Sequence, residues 1–425
     1  MLDINLIREE PDRVREALRL RSENPAVVDA ILKLDAERRK LLTDTERKKA
    51  ERNTVSKEIG QMKDAKTRQE KIDAMRLVGD AITALDEKLR QVEEKLTGEL
   101  STLPNIPGPD VPVGAGEQDN QVVRTVGEIP AFNFTPKPHW ELGPELGVIN
   151  FDQGTKLSGT RFYVLSGAGA RLQRAIIAWM LDLHIRQGYT EKYLPFMLHG
   201  DILYASGQLP KFRDGLYHDA EEDFWFVPTA EVPLTGLHAG DILEESALPL
   251  KYTAYTPCWR REKMSAGKDV RGIKRGHQFD KVEMYKYCLP ENSPAEHEAM
   301  LKDAEETAAG LGLTYRVVAQ CTGDLSFASQ KTFDIEVWAA GCGEWLEVSS
   351  VSNVGDFQAR RANIRYKPSD GGKPRLVHTL NGSGLALPRI MIAILENYQQ
   401  PDGSVRVPDV LKPWMSGIDL IRSEK

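Results

Sequence analysis

Residues 27–100 constrain the fold more tightly than any other stretch of the chain. They contain no aromatic residue and no proline, so nothing interrupts a long helix and nothing supplies a bulky globular core. In the second half, Met75, Val78, Ile82, Leu85, Leu89, Val92 and Leu96 recur at alternating spacings of three and four residues, which is the seam of a coiled coil. The first half carries a looser stripe of Val28, Ile31, Leu34, Leu41, Val55, Ile59 and Met62, with Lys and Arg at several seam positions. Polar residues 63–70 (KDAKTRQE) suit a turn between the halves. The pattern predicts two helices of similar length folded back as an antiparallel hairpin, about 45–50 Å long at the usual helical rise.

Charge separates this segment from the rest. The whole chain has a formal net charge of -7, which argues against nucleic-acid binding if taken in bulk. Between Lys33 and Arg76, however, fourteen Lys and Arg face nine Asp and Glu. A basic arm on an acidic body can recruit a polyanion; by charge alone the favoured reading is a solvated helical hairpin that only dimerises or spaces. A Pro- and Gly-rich stretch, LPNIPGPDVPVGAG (103–116), then marks a boundary. The expected organisation is an N-terminal helical arm over 1–102, a linker over 103–118 and a second domain over 119–425.

The second domain mixes apolar strands with amphipathic helices. Residues 171–186 read as a helix; 224–228, 281–288, 333–339 and 344–350 read as strands; 385–398 read as a late helix after a Gly-rich turn. Strands and helices do not alternate regularly, so the expected fold class is α+β, a mostly antiparallel sheet flanked by helices. Cys258, Cys288, Cys321 and Cys342 form no CxxC pair, which suggests neither a disulfide framework nor a zinc cluster and fits a reducing cytoplasm. The charged N-terminus reads as no secretory signal, and no apolar run reads as a membrane span.

Several chemistries find no support in the sequence. It contains no GxxxxGK[ST] loop, no strand-linked GxGxxG, no HExxH pair and no GxSxG elbow. KMSAGK (263–268) looks like the mobile lysine loop of class I aminoacyl-tRNA synthetases, but the HxGH element that accompanies it in that class is missing. The informative segment is 257–283, PCWRREKMSAGKDVRGIKRGHQFDKVE. In a strand, Arg260 and Glu262 would share a face. A basic loop follows, and the chain returns through Arg275, His277 and Phe279 to Glu283. Such a hairpin offers a guanidinium fork for a phosphate and a ring for a base.

Arg-x-Glu, a loop and Arg-x-x-x-Phe together resemble motif 2 of the class II aminoacyl-tRNA synthetases. NGSGLALPRIMIAILENYQ (381–399) resembles motif 3, and the 171–186 helix running on to Pro195 resembles motif 1, the dimerisation element. SGQLPKF (206–212), PTAEVPLT (228–235), HQFDKVE (277–283) and EVSSVSNVGDFQARR (347–361) narrow the likeness to seryl-tRNA synthetase of bacterial type. The likeness extends over essentially the whole chain, with the basic hairpin as the tRNA-binding arm.

This resemblance implies an enzyme that activates L-serine with ATP and transfers it to serine tRNA, with selenocysteine tRNA open as a further acceptor. It implies a cytoplasmic homodimer that uses Mg²⁺ with ATP and no zinc. The serine pocket would comprise Thr229, Ala230, Glu231, Glu283, Asn381 and Ser383. ATP would meet Arg260, Arg261, Glu262, Arg275, Phe279, Glu347, Val348, Ser349, Ser350 and Arg389, with Arg260, Glu262 and Arg389 catalytic. Phe279 would stack on adenine and Arg389 would cover its other face. Glu347 and Ser350 would hold Mg²⁺ through ATP. Two departures from the usual pattern stand out: Pro388 before the motif 3 arginine, tolerable in a first helical turn, and Lys274 where an aliphatic residue is usual. Two rival readings are an amino-acid:carrier-protein ligase, which would not need the hairpin, and a silent RNA-binding paralogue. The second predicts loss of Arg260, Glu283, Glu347 or Arg389, and all four are present.

Overall fold

The apolar seam produces two long helices, Val27–Gln61 and Ala65–Thr102, in the computed structural model of the chain, which describes residues 1–263 and 271–423. Ile82, Val92 and Leu96 are buried along the seam, and Met75, Val78, Leu85 and Leu89 are half-buried. Ion pairs bridge the two helices at Arg38–Glu93 (3.2 Å), Lys49–Asp86 (3.0 Å) and Lys71–Glu58 (2.7 Å), the descending partner numbers of an antiparallel pair. The turn is shorter than residues 63–70. Asp64 accepts the Thr67 N–H at 2.8 Å and so caps a helix that already begins at Ala65. Two short helices, Ile4–Glu9 and Pro11–Leu20, pack against the Val27–Gln61 helix near its start, with Ile7, Val14 and Leu18 buried. These elements form one compact unit, Leu2–Pro104; Asn105–Lys425, with Met1, form another.

The second unit is built on an eight-stranded sheet. Its strands run, edge to edge, Gln121–Val126, Tyr315–Ala319, Lys331–Ala339, Glu344–Gly355, His378–Ala386, Gln278–Cys288, Leu250–Trp259 and Thr190–Glu191. All neighbours are antiparallel except the last two. Helices Gly167–Arg186 and Leu387–Asn397 supply Leu172, Ile176, Met180, Ile390 and Ile394 to a core shared with Val282, Met284, Ile335 and Val348 of the sheet. Pro388 lies in the first turn of its helix, where its missing N–H costs nothing.

Three local expectations change. Residues 381–384 are not a turn but the middle of strand His378–Ala386; their glycines serve close packing, since a Cβ on Gly382 would lie 3.2 Å from Val351 Cγ2. Residues 224–228 contribute only the two-residue strand Trp225–Phe226, which pairs with Met197–Leu198 outside the large sheet. The first strand of the 257–283 hairpin ends at Trp259, so Arg260 and Glu262 do not share a strand face. Glu262 adopts a left-handed φ of 49°, which no regular strand accommodates. Residues 264–270, which include all of KMSAGK except Lys263, lie outside the described residues. Among the described residues no helix is long and apolar enough to cross a membrane.

Candidate active site

The central strands Gln278–Cys288, His378–Ala386 and Glu344–Gly355 form the floor of a cleft of about 510 Å³. It is lined by Thr229, Glu231, Arg260, Glu262, Arg275, Phe279, Glu283, Glu347, Val348, Ser349, Ser350, Asn381, Ser383 and Arg389 among others. Of the residues named from the sequence, two do not line it. Ala230 is fully buried in a cluster with Leu194, Leu234 and Tyr285. Arg261 is exposed, its guanidinium 5.9 Å from the Tyr217 ring centroid while its backbone N–H bonds Gly215.

At one end of the cleft, polar groups interlock. Thr229 Oγ1 donates to Glu283 Oε2 at 3.0 Å and accepts from Lys281 Nζ at 2.7 Å, and Lys281 also pairs with Glu283 directly. Lys281 and Glu283 share a strand face by simple alternation. Directly opposite Glu283 in the sheet stands Ser383, and Asn381 lies two residues along the same strand. Asn381 Nδ2 donates to Glu231 Oε1 at 3.1 Å, and Gln358 Nε2 donates to the same oxygen at 2.6 Å. Gln358 is pinned in turn: its Oε1 accepts from Tyr285 OH (3.0 Å) and Thr379 Oγ1 (2.7 Å). Burial, and then the neighbouring Glu283, push the Glu231 carboxyl up to about 7 against the pull of Lys281. This end of the cleft therefore presents two carboxylates, one ammonium and several hydroxyl and amide groups within a few ångströms.

At the other end, Arg260 Nε donates to the Pro228 carbonyl at 3.2 Å and its guanidinium carbon lies 5.2 Å from the Phe279 ring centroid. Arg275 pairs with Glu262 at 3.4 Å. Lys274 pairs with Glu344 and lies 5.7 Å from the Trp140 ring centroid, so its charge has a protein partner at the cleft edge. The return arm of the loop is anchored by buried His139. Its Nε2 accepts the Ile273 N–H at 3.1 Å, while its Nδ1 bonds Glu396 of helix Leu387–Asn397 at 2.8 Å.

Glu347 and Ser350 are three residues apart, which in a regular strand would place them on opposite faces. A bulge at Val348, where the pairing shifts between Ile335 and Glu336, brings them to one face, with Ser350 Oγ 3.4 Å from Glu347 Oε1. Ser350 also donates to Asp334, whose carboxyl is raised by burial and by nearby Glu347. Arg389 reaches across to the Glu347 carbonyl and stands 3.5 Å from its carboxylate. The donors here are all oxygens, with the Glu347 side chain 48% exposed to the cleft. That set fits a hard divalent cation.

Lys281 and Gln358 were not singled out from the sequence. Lys281 had a readable signal, its position two residues before Glu283; Gln358 sits in a short helix, Phe357–Ala362, within the 347–361 segment that carries the resemblance, but no local pattern there points its side chain at the cleft.

Residues 1–107 match the seryl-tRNA synthetase N-terminal domain, and residues 212–398 match the tRNA synthetase class II core domain (G, H, P, S and T). The serine–tRNA ligase of Chloroflexus aurantiacus is 58% identical over 421 residues, covering 99% of this chain and 100% of that protein. That of Roseiflexus sp. (strain RS-1) is 61% identical over 422 residues with the same coverage. The crystal structure of seryl-tRNA synthetase from Pyrococcus horikoshii complexed with ATP superposes with a TM-score of 0.93 at 40% identity, over 100% of both chains.

Proposed function

The chain belongs to the seryl-tRNA synthetase family, and from that premise we propose how its cleft joins L-serine to ATP and then to tRNA. It is a serine–tRNA ligase of class II. In the first step the serine carboxylate attacks the α-phosphorus of ATP, pyrophosphate leaves, and seryl-adenylate stays bound. In the second, the terminal ribose hydroxyl of tRNA attacks the activated carbonyl, giving seryl-tRNA and AMP. No covalent bond to the enzyme is required; positioning and electrostatics carry the rate.

The observation that carries the amino-acid half is the interlocked set of Glu231, Glu283, Thr229, Lys281, Asn381 and Ser383. Glu231 and Glu283 receive the ammonium and hydroxyl of serine, replacing Lys281 as the partner of carboxylate charge. A pocket built from hydrogen-bonding groups rejects an analogue lacking the hydroxyl far better than an apolar pocket does. Arg260 binds the α-phosphate as charge builds there, and Phe279, on which Arg260 now rests, stacks the adenine. Glu262 and Arg275 hold the ribose and adenine side, Val348 and Ser349 form the strand wall beside them, and Arg389 covers the outer face of the nucleotide. ATP chemistry of this class requires a divalent cation, and Mg²⁺ suits the oxygens of Glu347 and Ser350. Bound there, it would neutralise phosphate charge and orient the leaving pyrophosphate.

The basic helical hairpin grips tRNA by shape and phosphate contacts. A homodimer is supported by the likeness of the Gly167–Arg186 helix to motif 1. It is also supported by the exposed edge strand Gln121–Val126, whose Val122 and Val123 are 52% and 50% exposed. The place of work is the cytoplasm. The test is to incubate enzyme, serine and ATP without tRNA and analyse the bound nucleotide. Retained seryl-adenylate with released pyrophosphate is expected; formation of ADP would refute the mechanism.

A further inference from the structure

His184 lies on the helix Gly167–Arg186, beneath the sheet and outside the cleft lining. It is completely buried, and its Nε2 has no hydrogen-bond partner among the described residues. Its protonation pattern follows from its neighbours. Gln187 Nε2 donates to the Asp303 carbonyl (3.2 Å) and to Glu306 (2.8 Å), so Gln187 Oε1 is left to accept from His184 Nδ1 at 2.7 Å. The proton sits on Nδ1, and Nε2 presents a bare lone pair. Burial drives the ring to about 4, so it is neutral at any working pH. The Tyr189 ring, edge-on at 5.9 Å between centroids, and the Gln187 bond hold the imidazole in place.

The unpartnered nitrogen is aimed at Gly384. A Cβ on that glycine would lie 2.2 Å from Nε2, 3.1 Å from Cδ2 and 3.3 Å from Cε1. Gly384 is also the extra residue of a β-bulge: Ser383 pairs with Glu283, Leu385 pairs with the adjacent Val282, and the register between the two strands skips Gly384. Its glycine is therefore required by the ring beneath it. The bulge in turn fixes the residue before it. Ser383 faces Glu283 across the strands, and its carbonyl accepts from Ser349 Oγ at 2.7 Å, so its placement in the cleft is set from both sides.

We infer that His184 is a positioning residue for amino-acid recognition: its ring, seated under Gly384, forms the bulge that holds Ser383 opposite Glu283. This deepens the serine-ligase reading and rests on it. The helix that carries His184 thereby acts first on the amino-acid end of the cleft, because the bulge sits against Glu283 and Val282, whereas Phe279 lies three residues back from Val282 on that strand and Arg389 five residues beyond Gly384 on the following helix. A buried histidine kept only for packing would affect stability without distinguishing between the two substrates.

The experiment is a double-mutant cycle with Gly384→Ala, His184→Ala and the pair, reading KM for serine and for ATP separately in pyrophosphate exchange. Gly384→Ala drives a methyl into the ring, and we expect the serine KM to rise about tenfold or more while the ATP KM stays within about threefold. In the pair the ring is gone, and most of that rise should be reversed. His184→Ala alone, which loosens the bulge without a clash, should raise the serine KM by about threefold or more with the ATP KM unmoved. If Gly384→Ala does not fold, the single His184 variant still decides the matter, and recovery of a folded pair supports the contact. Equal shifts in both KM values, or a pair whose defects simply add, would overturn the inference. Wild-type exchange in the same series is the separate control: no exchange with serine there would refute the ligase reading, whereas normal wild type with unshifted variants would refute only the role of His184.

Discussion

Replacing Glu231 by Gln should make the protein more stable at pH 8 while destroying its use for serine. Glu231 is held at about 7 instead of 4.5, chiefly by burial and then by Glu283. Between those two values the folded protein keeps a proton that the unfolded chain has released, so stability falls as pH rises across that window, and the loss is complete above it. A shift of that size corresponds to about 3 kcal/mol at full weight. The cleft is open to water on one side, which reduces the expected gain of Glu231→Gln at pH 8 to about 1–3 kcal/mol, or a few degrees in Tm. Gln keeps the acceptor oxygen for Gln358 (2.6 Å) and Asn381 (3.1 Å), so the contacts survive and only the ionisation cost goes. Thermal melts of both proteins from pH 5 to pH 9, about the range over which folded enzymes are handled, give the readout. The variant should lead at high pH and lose its lead as the wild-type carboxyl takes up its proton. A less stable variant at pH 8, or a gap that does not change with pH, would refute the reasoning. In the wild type the serine KM should rise as pH falls below about 7, because the substrate ammonium needs the carboxylate that protonation removes.

Three further outcomes are expected. Phe279→Ala should raise the ATP KM by about 5- to 100-fold through lost base stacking, with the serine KM changed far less; equal changes in both would mean the ring does not meet adenine. Arg52→Ala with Lys57→Ala, exposed on the hairpin, should weaken tRNA charging and flatten its salt dependence while leaving pyrophosphate exchange intact, since each lost phosphate contact lowers the salt slope by about one. Asp35 is 1% exposed and takes Arg8 and Arg39 at 3.0 Å each. Asp35→Ala should cost the N-terminal unit about 1–3 kcal/mol in denaturant melts of the full chain, the arginines being free to turn to water.

Local pattern and motif order made much of the architecture legible. The seam from Met75 to Leu96 specified its helix because a coiled coil states its partner surface in its own spacing. The polar run at 63–70 misled because composition cannot tell a turn from the first turns of a helix capped by Asp64. Asn381–Gly384 misled for a related reason: glycine reads as a turn, whereas here it makes room for His184 and Val351 pressing on a strand. Glu347 and Ser350 were found only by resemblance, since the bulge that puts them on one face has no sequence period. Ala230 and Arg261, also taken from resemblance, turn away from the cleft by burial in a core cluster and by packing on Tyr217. Gln358 escaped notice because its role depends on long-range contacts with Tyr285 and Thr379, which no local pattern encodes.

The most direct test of the central claim is ATP–pyrophosphate exchange without tRNA, run in parallel with each of the common amino acids. Exchange with serine and with no other amino acid is the predicted result, and it would tie the Thr229–Glu283–Glu231 constellation to the substrate it is built to hold. Exchange with a different amino acid would contradict the assignment of that constellation while sparing the ATP half of the cleft. No exchange at all, from folded protein supplied with Mg²⁺, would contradict the account as a whole.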